Sequence, residues 1–269
     1  MHALYAIPSF VLLVAALAVA IALTGLGQDA THRMLRRQGF IEHNEVGGIM
    51  IAVAGTLYAV VLGFLTVVVW QHYLDARQLV VHESDADIDA WHEVVGLPPA
   101  IRTRVRDDML AYAQIMVRKE WPAMRAGGSD PKAAMIVMDA IDAVAGHVPA
   151  NGAESNAQQA TMQQLTAMHD ARQQRININE NGVSGFEWSI LGIGGMAIIG
   201  FCWLFGLSNA RIQFVMTATV VTIIVSTLVL LLELQYPFRS DIGIGPDSWT
   251  GALDHIHMMQ TGDMENMRD

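Results

Sequence analysis

Four long runs of apolar residues contain no charged side chain and dominate the chain. They occupy residues 4–26, 46–70, 188–207 and 212–232. A helix needs about 20 apolar residues to cross the ~30 Å hydrocarbon core of a bilayer, and each run has that length. Helix is the expected conformation because lipid offers no partner to backbone N–H and C=O groups. The pattern therefore predicts an all-α integral membrane protein with four transmembrane helices.

The spacing of the runs divides the chain into four parts. They are a transmembrane hairpin at 4–70, a polar segment at 71–187, a second hairpin at 188–232 and a C-terminal tail at 233–269. The polar segment shows no strand alternation and is punctuated by Pro and Gly, so we predict a helical extramembrane region there. Its first helix is expected to continue the second run to about Val95. The methionine-rich tail is expected to be mobile and amphipathic.

Composition narrows the possible functions. Hydrophobic residues make up 52% of the chain and charged residues 16%, whereas a soluble domain has about 25% charged residues. The net charge of −10 argues against a nucleic-acid partner, and a single cysteine excludes a disulfide framework. No phosphate-binding loop, nucleophile elbow or paired-histidine motif occurs. We therefore expect no enzyme, no cofactor and no metal centre, with membrane lipid, other copies of the chain and inorganic ions as partners.

Arginines in the short loops predict an orientation. Loop 27–45 carries Arg33, Arg36 and Arg37, and loop 208–211 carries Arg211. The positive-inside rule places such loops in the cytoplasm of a bacterial inner membrane. The termini and residues 71–187 then lie in the periplasm.

The second run contains Gly55, Ala59 and Gly63 at four-residue spacing, with Gly48 on a second register. Small residues at such spacing let helix backbones approach closely in lipid. We interpret them as helix-packing positions, either within the chain or between subunits.

The fourth run carries Thr222, Ser226 and Glu233 on one helical face. A carboxylate at the membrane edge faces protein or water rather than lipid, so this face is a candidate lining for an ion path. The alternative is that the hydroxyls bond to carbonyls of their own helix, with Glu233 among the headgroups.

Two histidines and two aspartates form a further stripe at the start of the polar segment. His82, Asp85, Asp89 and His92 are spaced three, four and three residues apart, which places them on one helical face. Imidazoles titrate near pH ~6.5, so the stripe is a candidate pH or cation sensor. The alternative is a solvated acidic face. Beside it, Leu74, Val81, Ile88 and Val95 recur every seven residues, a spacing suited to helix pairing.

Six short motifs occur in a characteristic order. They are EHNEVGG at 42–48, GTLYAVVLGF at 55–64, EWPAM at 120–124, GFCWLFG at 200–206, QFVMT at 213–217 and YPFRSD at 236–241. Over nearly the whole chain this set resembles the bacterial and plant bestrophin-like family of membrane proteins of unknown function. The last motif contributes Pro237, Phe238, Arg239 and Asp241. The chain departs from the family pattern at Gln235, where an acidic residue is usual, and at Ser240, where Gly is usual.

The resemblance implies four spans with a helical region between the second and third. It also implies a relationship to bestrophins, which are pentameric anion channels that keep their large region in the cytosol. That orientation is opposite to the one predicted from the arginines. No aromatic pore neck like that of bestrophins is visible between Val60 and Trp70.

Our first hypothesis is a homo-oligomeric ion channel of unresolved ion sign, because the acidic stripe favours cations while the bestrophin resemblance favours anions. The pore or gate candidates are Glu42, His43, Asn44 and Glu45 at the start of the second run, with Thr222, Ser226 and Glu233. The alternative is a non-conducting scaffold or sensor that binds a partner through its helical extramembrane region. A secondary transporter is a weaker third possibility, because transporters usually have more spans and internal repeats.

Overall fold

The computed structural model describes Tyr5 and residues 7–35, 44–204 and 209–261. These residues form nine α-helices and no strand. The helices are α1 (Ser9–Leu35), α2 (Asn44–Glu93), α3 (Pro99–Ile115), α4 (Trp121–Arg125), α5 (Pro131–Ala145), α6 (Gly152–Glu180), α7 (Gly185–Leu204), α8 (Ala210–Leu234) and α9 (Asp247–Thr261). A 3₁₀ turn (Val94–Gly96) follows α2, and a π-helical turn (Met116–Glu120) joins α3 to α4.

Four of these helices, α1, α2, α7 and α8, are long and apolar enough to cross a membrane. The prediction of an all-α protein with four candidate spanning helices is therefore confirmed. Helix α1 continues well past its apolar run because its polar end is bonded to α8. The Gln28 amide donates to the Ala210 carbonyl at 3.0 Å, and the His32 ring lies 3.0 Å from the Gln213 side-chain oxygen.

Helix α2 is longer than a bilayer requires. Its 50 residues extend about 75 Å at ~1.5 Å per residue, against ~30 Å of hydrocarbon. Charged residues occur regularly from Asp75 onward. The charge-free stretch 46–70 is therefore the part of α2 suited to span the membrane.

The chain divides into two compact units. The first contains residues 1–72, 182–235 and 240–242, and the second contains residues 73–181, 236–239 and 243–269. In the first unit, α1 packs along α8, and α7 contacts both helices.

In the first unit, two glycines permit close approach of aromatic rings. Gly27 lies against the Trp203 ring, and a Cβ at Gly194 would stand 2.6 Å from the Tyr58 ring.

The small residues of the second run that were predicted to pack helices together do not take part in these contacts. A Cβ built at Gly48, Gly55 or Gly63 would meet no other atom within 4 Å, and Ala59 is exposed. These positions therefore form no helix contact within the described chain. Large apolar neighbours on the same helix are also exposed, including Leu57 at 65% and Phe64 at 71%.

The second unit has a continuous apolar core. Helix α3 packs against α5 and α9, and α5 packs against α6. The largest fully buried side chains include Trp249, Tyr112 and Leu165. The prediction of a mobile tail is wrong for residues 247–261, because these residues form α9, which buries Trp249, Ala252 and Ile256 in this core.

The part of α2 in the second unit also buries a different stripe from the one that the sequence indicated. Leu74, Val81 and Val95 are 43–57% exposed. The fully buried positions of α2 instead include Ala76, Val80, Glu83, Asp87 and Ala90. Three of the four heptad residues are therefore exposed, while Ile88 packs partly against the core and two acidic residues face inward.

The contrast between Gly194 and Gly55 is testable with one chemical change. Gly194→Ala should destabilise the protein by about 1–3 kcal/mol, because the added methyl overlaps the Tyr58 ring. Gly55→Ala should leave the stability of one chain unchanged or slightly raised, because its methyl meets open space. Chemical denaturation in a detergent that holds the chain monomeric measures both. Equal destabilisation by the two variants would contradict this packing.

Candidate functional site

A polar junction forms where α8 ends, around the first residue of α1. The Ser9 hydroxyl donates to the buried Glu233 carboxylate at 2.8 Å and also bonds to Asp241. The Ser9 backbone N–H lies 3.1 Å and 3.2 Å from the two Asp241 oxygens. Hydrogen bonding by the Ser9 hydroxyl holds the pKa of Asp241 below its usual value. Two predicted residues, Glu233 and Asp241, are therefore brought to one serine.

Gln235 extends the same junction. Its amide oxygen accepts from the Trp188 indole at 3.1 Å, and its amide nitrogen donates to the Tyr5 hydroxyl at 3.0 Å. The Tyr5 hydroxyl donates in turn to the Leu232 carbonyl at 2.9 Å. A neutral amide can both donate and accept, which a carboxylate cannot. The departure from the family pattern at Gln235 is thus built into a complete hydrogen-bonded chain.

The hydroxyls of α8 bond within their own helix. Thr222 donates to the Ala218 carbonyl at 2.8 Å, and Thr217, Thr219 and Thr227 make equivalent bonds four residues back. This is the alternative arrangement considered from the sequence. Ser226 is half-buried on the same helix, and Glu233 is buried in protein with only one oxygen bonded to a described residue.

The His/Asp stripe lies on the outer face of α2. His82, Asp85, Asp89 and His92 are all exposed. His82 lines an open groove with Asp75 and Gln174, while His92 meets His255 of α9. The four predicted sensors therefore do not converge on one point. The pKa of His92 is lowered, first by partial burial and then by the nearby His255.

The proposed pore entrance lies at the start of α2. Glu42 and His43 fall outside the described residues, and Asn44 and Glu45 begin the helix. In the motif after the last span, residues 236–239 belong to the second unit, whereas Asp241 belongs to the first. In the second unit, the Phe238 ring packs edge-on against Trp121 at 5.9 Å, and Arg239 stacks over Tyr236 and donates to the Asn179 carbonyl. Pro237 is buried, and its carbonyl accepts from the Ile244 N–H at 2.7 Å.

Four charged side chains that the sequence analysis missed form a buried ion network in the second unit: Glu83, Glu120, Arg172 and Arg175. The Arg175 guanidinium binds Glu83 through two nitrogens, at 2.6 Å and 3.1 Å. Its third contact is Glu120 at 3.4 Å, and Glu120 also accepts from Arg172 at 3.0 Å. The side chains of Glu83, Glu120 and Arg175 are fully buried, and that of Arg172 is 4% exposed.

Further donors complete this network. The Tyr112 hydroxyl donates to Glu83 at 2.5 Å, and the Asp130 backbone N–H donates to Glu120 at 2.6 Å. The π-helical turn ends at Glu120 and so contributes to the placement of its carboxylate. Opposite charges and hydrogen bonds compensate the cost of burying these ions. The two carboxylates raise the pKa of Arg175 against the effect of burial.

Asp87 lies one helical turn from Glu83 and is also fully buried. Neither of its carboxylate oxygens has a hydrogen-bond partner among the described residues. Burial, and then the charge of Glu83, raise the pKa of Asp87 well above its usual value. The sequence feature that could have identified Glu83 and Asp87 as buried is their position on the apolar face of α2.

No group of three or more His, Cys, Asp or Glu side chains in the described ranges is arranged to hold a metal ion. The chemistry available in the first unit is therefore that of the junction around Ser9, and in the second that of the ion network with the neighbouring buried acid Asp87. Both arrangements hold helices in register and hold charge or protons. Neither places a nucleophile beside a general base.

Comparison with known proteins identifies the fold. A sequence model described as the Bestrophin-like domain matches residues 14–249. Two solved structures of variants of a bacterial bestrophin homologue from Klebsiella pneumoniae are similar. One has a TM-score of 0.67 at 14% identity, covering 91% of this chain and 99% of that one, and the other has 0.68 at 14%, covering 93% and 99%. A third structure, described as a membrane protein, has a TM-score of 0.69 at 14% identity, covering 91% and 98%. No curated protein matches the chain.

Breaking the ion network from one side should be costly. Arg175→Met leaves Glu83 buried without its counter-charge and should destabilise the protein by about 3–5 kcal/mol. Adding Glu83→Gln to that variant should recover part of the loss. Denaturation in detergent, analysed as a double-mutant cycle, measures the coupling.

The pair Arg104 and Asp108 lies nearer the surface and provides the control, at 3.9 Å with side chains 57% and 25% exposed. Arg104→Met should cost no more than about 1 kcal/mol. Similar losses for Arg104→Met and Arg175→Met would show that the buried network has no special role.

The burial of Asp87 leads us to expect that the stability of the protein depends on pH. Its folded-state pKa is raised, so the folded chain retains a proton that the unfolded chain releases above about pH 4. The free energy of unfolding should therefore fall by about 1.4 kcal/mol per pH unit from there up to the folded-state pKa. Asp87→Asn should remove this slope and be the more stable form at neutral pH. Asp89→Asn on the exposed face should keep it, and parallel pH profiles for wild type and Asp87→Asn would refute the assignment.

Proposed function

Because the chain belongs to the bestrophin-like family, we propose that it is one subunit of a homo-oligomeric ion channel. The family assignment supplies the class of protein, and the shared fold with bacterial bestrophin homologues is consistent with it. The proposal for this chain rests on a face of α2 that no other helix of the described chain covers.

The observation that carries the proposal is the face of α2 within 46–70. Gly48, Gly55 and Gly63 have no neighbour within the described chain, and the large apolar residues beside them are exposed. Lipid alone would satisfy the apolar side chains, but the gaps that small residues leave are filled best by another helix. Copies of α2 from several subunits would fill them and would surround a central path.

In this arrangement Glu42, His43, Asn44 and Glu45 stand at one mouth of the path, at the start of α2. Thr222, Ser226 and Glu233 are the candidates on α8. A ring of carboxylates at a mouth favours cations, so the four-residue entrance argues for a cation preference. The anion preference suggested by the bestrophin resemblance is the competing outcome.

We further propose the bacterial inner membrane as the location. Arg33, Arg36 and Arg37 in the first short loop favour cytoplasmic short loops and a periplasmic region at 71–187. Reporter fusions that are active on only one side of the membrane test this orientation. A fusion within residues 147–151, the connection before α6, should report the periplasm.

The alternative function is a non-conducting scaffold or sensor. The self-bonded threonines of α8 favour it, because hydroxyls already engaged with their own helix offer less to a passing ion. On this hypothesis the partner binds the second unit.

Ion flux tests the channel. Purified chain in proteoliposomes should conduct, and Glu42→Gln with Glu45→Gln should lower the cation-to-anion permeability ratio, by about thirtyfold if each of the two charges contributes roughly 1 kcal/mol. Reversal potentials in asymmetric salt measure that ratio. Asp139→Asn on α5, an exposed carboxylate of the second unit, is the matched control. The absence of flux at every pH and voltage would remove the channel hypothesis.

Cysteine accessibility separates the channel from the scaffold. The chain has one cysteine, so Cys202→Ala gives a background for single cysteines along residues 218–232. A wet path should make one face react with a water-soluble thiol reagent at every third or fourth position. Uniformly unreactive positions would favour the scaffold.

A further inference from the structure

Two histidines that are far apart in the sequence meet on the surface of the second unit. His92 lies near the end of α2 and His255 lies in α9, with ring centroids 5.9 Å apart and ring planes at 63°. His92 is exposed and His255 is half-buried, so an ion from solution can reach both.

The backbone on either side of this pair is held by buried neighbours. Trp91 is 6% exposed, and the Arg106 guanidinium stacks on its ring at 3.8 Å. Ile256 is fully buried in the core. Each imidazole is therefore attached to an anchored position rather than to a loop, which limits the side-chain entropy that a ligand must remove.

The separation of the two rings suits a shared metal ion. A Zn²⁺-type ion binds imidazole nitrogen at about 2.1 Å, so two rings on one tetrahedral ion have centroids roughly 5.3 Å apart. The observed 5.9 Å between the ring centroids is within about 1 Å of that value. Imidazole is a favoured ligand of the late first-row divalent metals.

We propose that His92 and His255 form a binding site for a divalent transition-metal ion of the Zn²⁺ class, which links α9 to the end of α2. Water molecules complete the coordination, since no third described ligand is in place. The nearby carboxylates of Asp89 and Glu93 attract cations to the site, and Arg106 opposes them.

Two other histidines serve as matched controls. His257 follows His255 by two residues, so it projects from a different side of α9. His82 lies on α2 but lines a separate groove with Gln174 and Ile178. Neither histidine belongs to the pair.

Calorimetric titration of the full-length protein in detergent with Zn²⁺ tests the site. The wild type should bind one ion per chain. His92→Ala and His255→Ala should each weaken binding by at least roughly tenfold, and the double variant should be no weaker than the worse single variant. His257→Ala and His82→Ala should bind within about twofold of wild type. The thermal midpoint of the wild type should rise with Zn²⁺, and that of the double variant should not.

Several outcomes would overturn the proposal. They are the absence of saturable binding by the wild type, undiminished binding after both substitutions, or an equal loss in His257→Ala. His92→Gln and His255→Gln, which replace the ring with a side chain of similar reach, repeat the test if an alanine variant loses helical content. The readout is metal binding in detergent, so its result is independent of whether the protein conducts ions.

Discussion

The second unit depends on the compensation of charge in its interior. Removing a carboxylate or guanidinium from water costs several kcal/mol per ion, and only an opposite charge in good geometry, with the remaining hydrogen bonds satisfied, offsets that cost. Arg175 meets this demand with a two-nitrogen contact to Glu83 and a further contact to Glu120. The partners come from α2, from the π-helical turn and from α6. A slip of any one of these elements by a residue would leave a buried charge unpaired, so the network fixes their register more strictly than apolar contacts can.

The membrane-spanning helices follow a different rule. In hydrocarbon the hydrophobic effect does not bring helices together, because lipid tails are as apolar as leucine. Helices α1 and α8 associate through close packing and through polar contacts at their ends, such as Gln28 with the Ala210 carbonyl. The spanning part of α2 contacts α7 through Tyr58, whose hydroxyl donates to the Leu191 carbonyl at 3.1 Å. Its glycine face has no such contact within the described residues, which is why we propose that other copies of the chain cover it.

The sequence predicted best those helices whose composition is dictated by the surrounding lipid. Lipid requires uninterrupted apolar runs, so the four spanning candidates were readable from charge alone. The ion network could not be predicted from the sequence, because Glu83 and Arg175 are 92 residues apart. Glu83 also lies close in sequence to Asp85 and Asp89, so from the sequence it resembles part of a solvent-exposed acidic face. Helix α9 was missed because methionines suggested a mobile tail, although the spacing of Trp249, Ala252 and Ile256 is that of one buried helical face. The apolar heptad was predicted to pair with another helix, but α2 buries the neighbouring positions, and Leu74, Val81 and Val95 stay exposed.

The balance of charge in the core favours the neutral form of its remaining acid, Asp87. Glu83 and Glu120 contribute two negative charges, and Arg172 and Arg175 contribute two positive charges, so the network is neutral as it stands. A charged Asp87 would add a negative charge one helical turn from Glu83, with no partner for either oxygen among the described residues. Burial and the charge of Glu83 both favour the neutral acid over the anion, which raises the pKa of Asp87. The folded unit therefore holds a proton on Asp87 more strongly than the unfolded chain does, so proton binding at this residue is linked to folding.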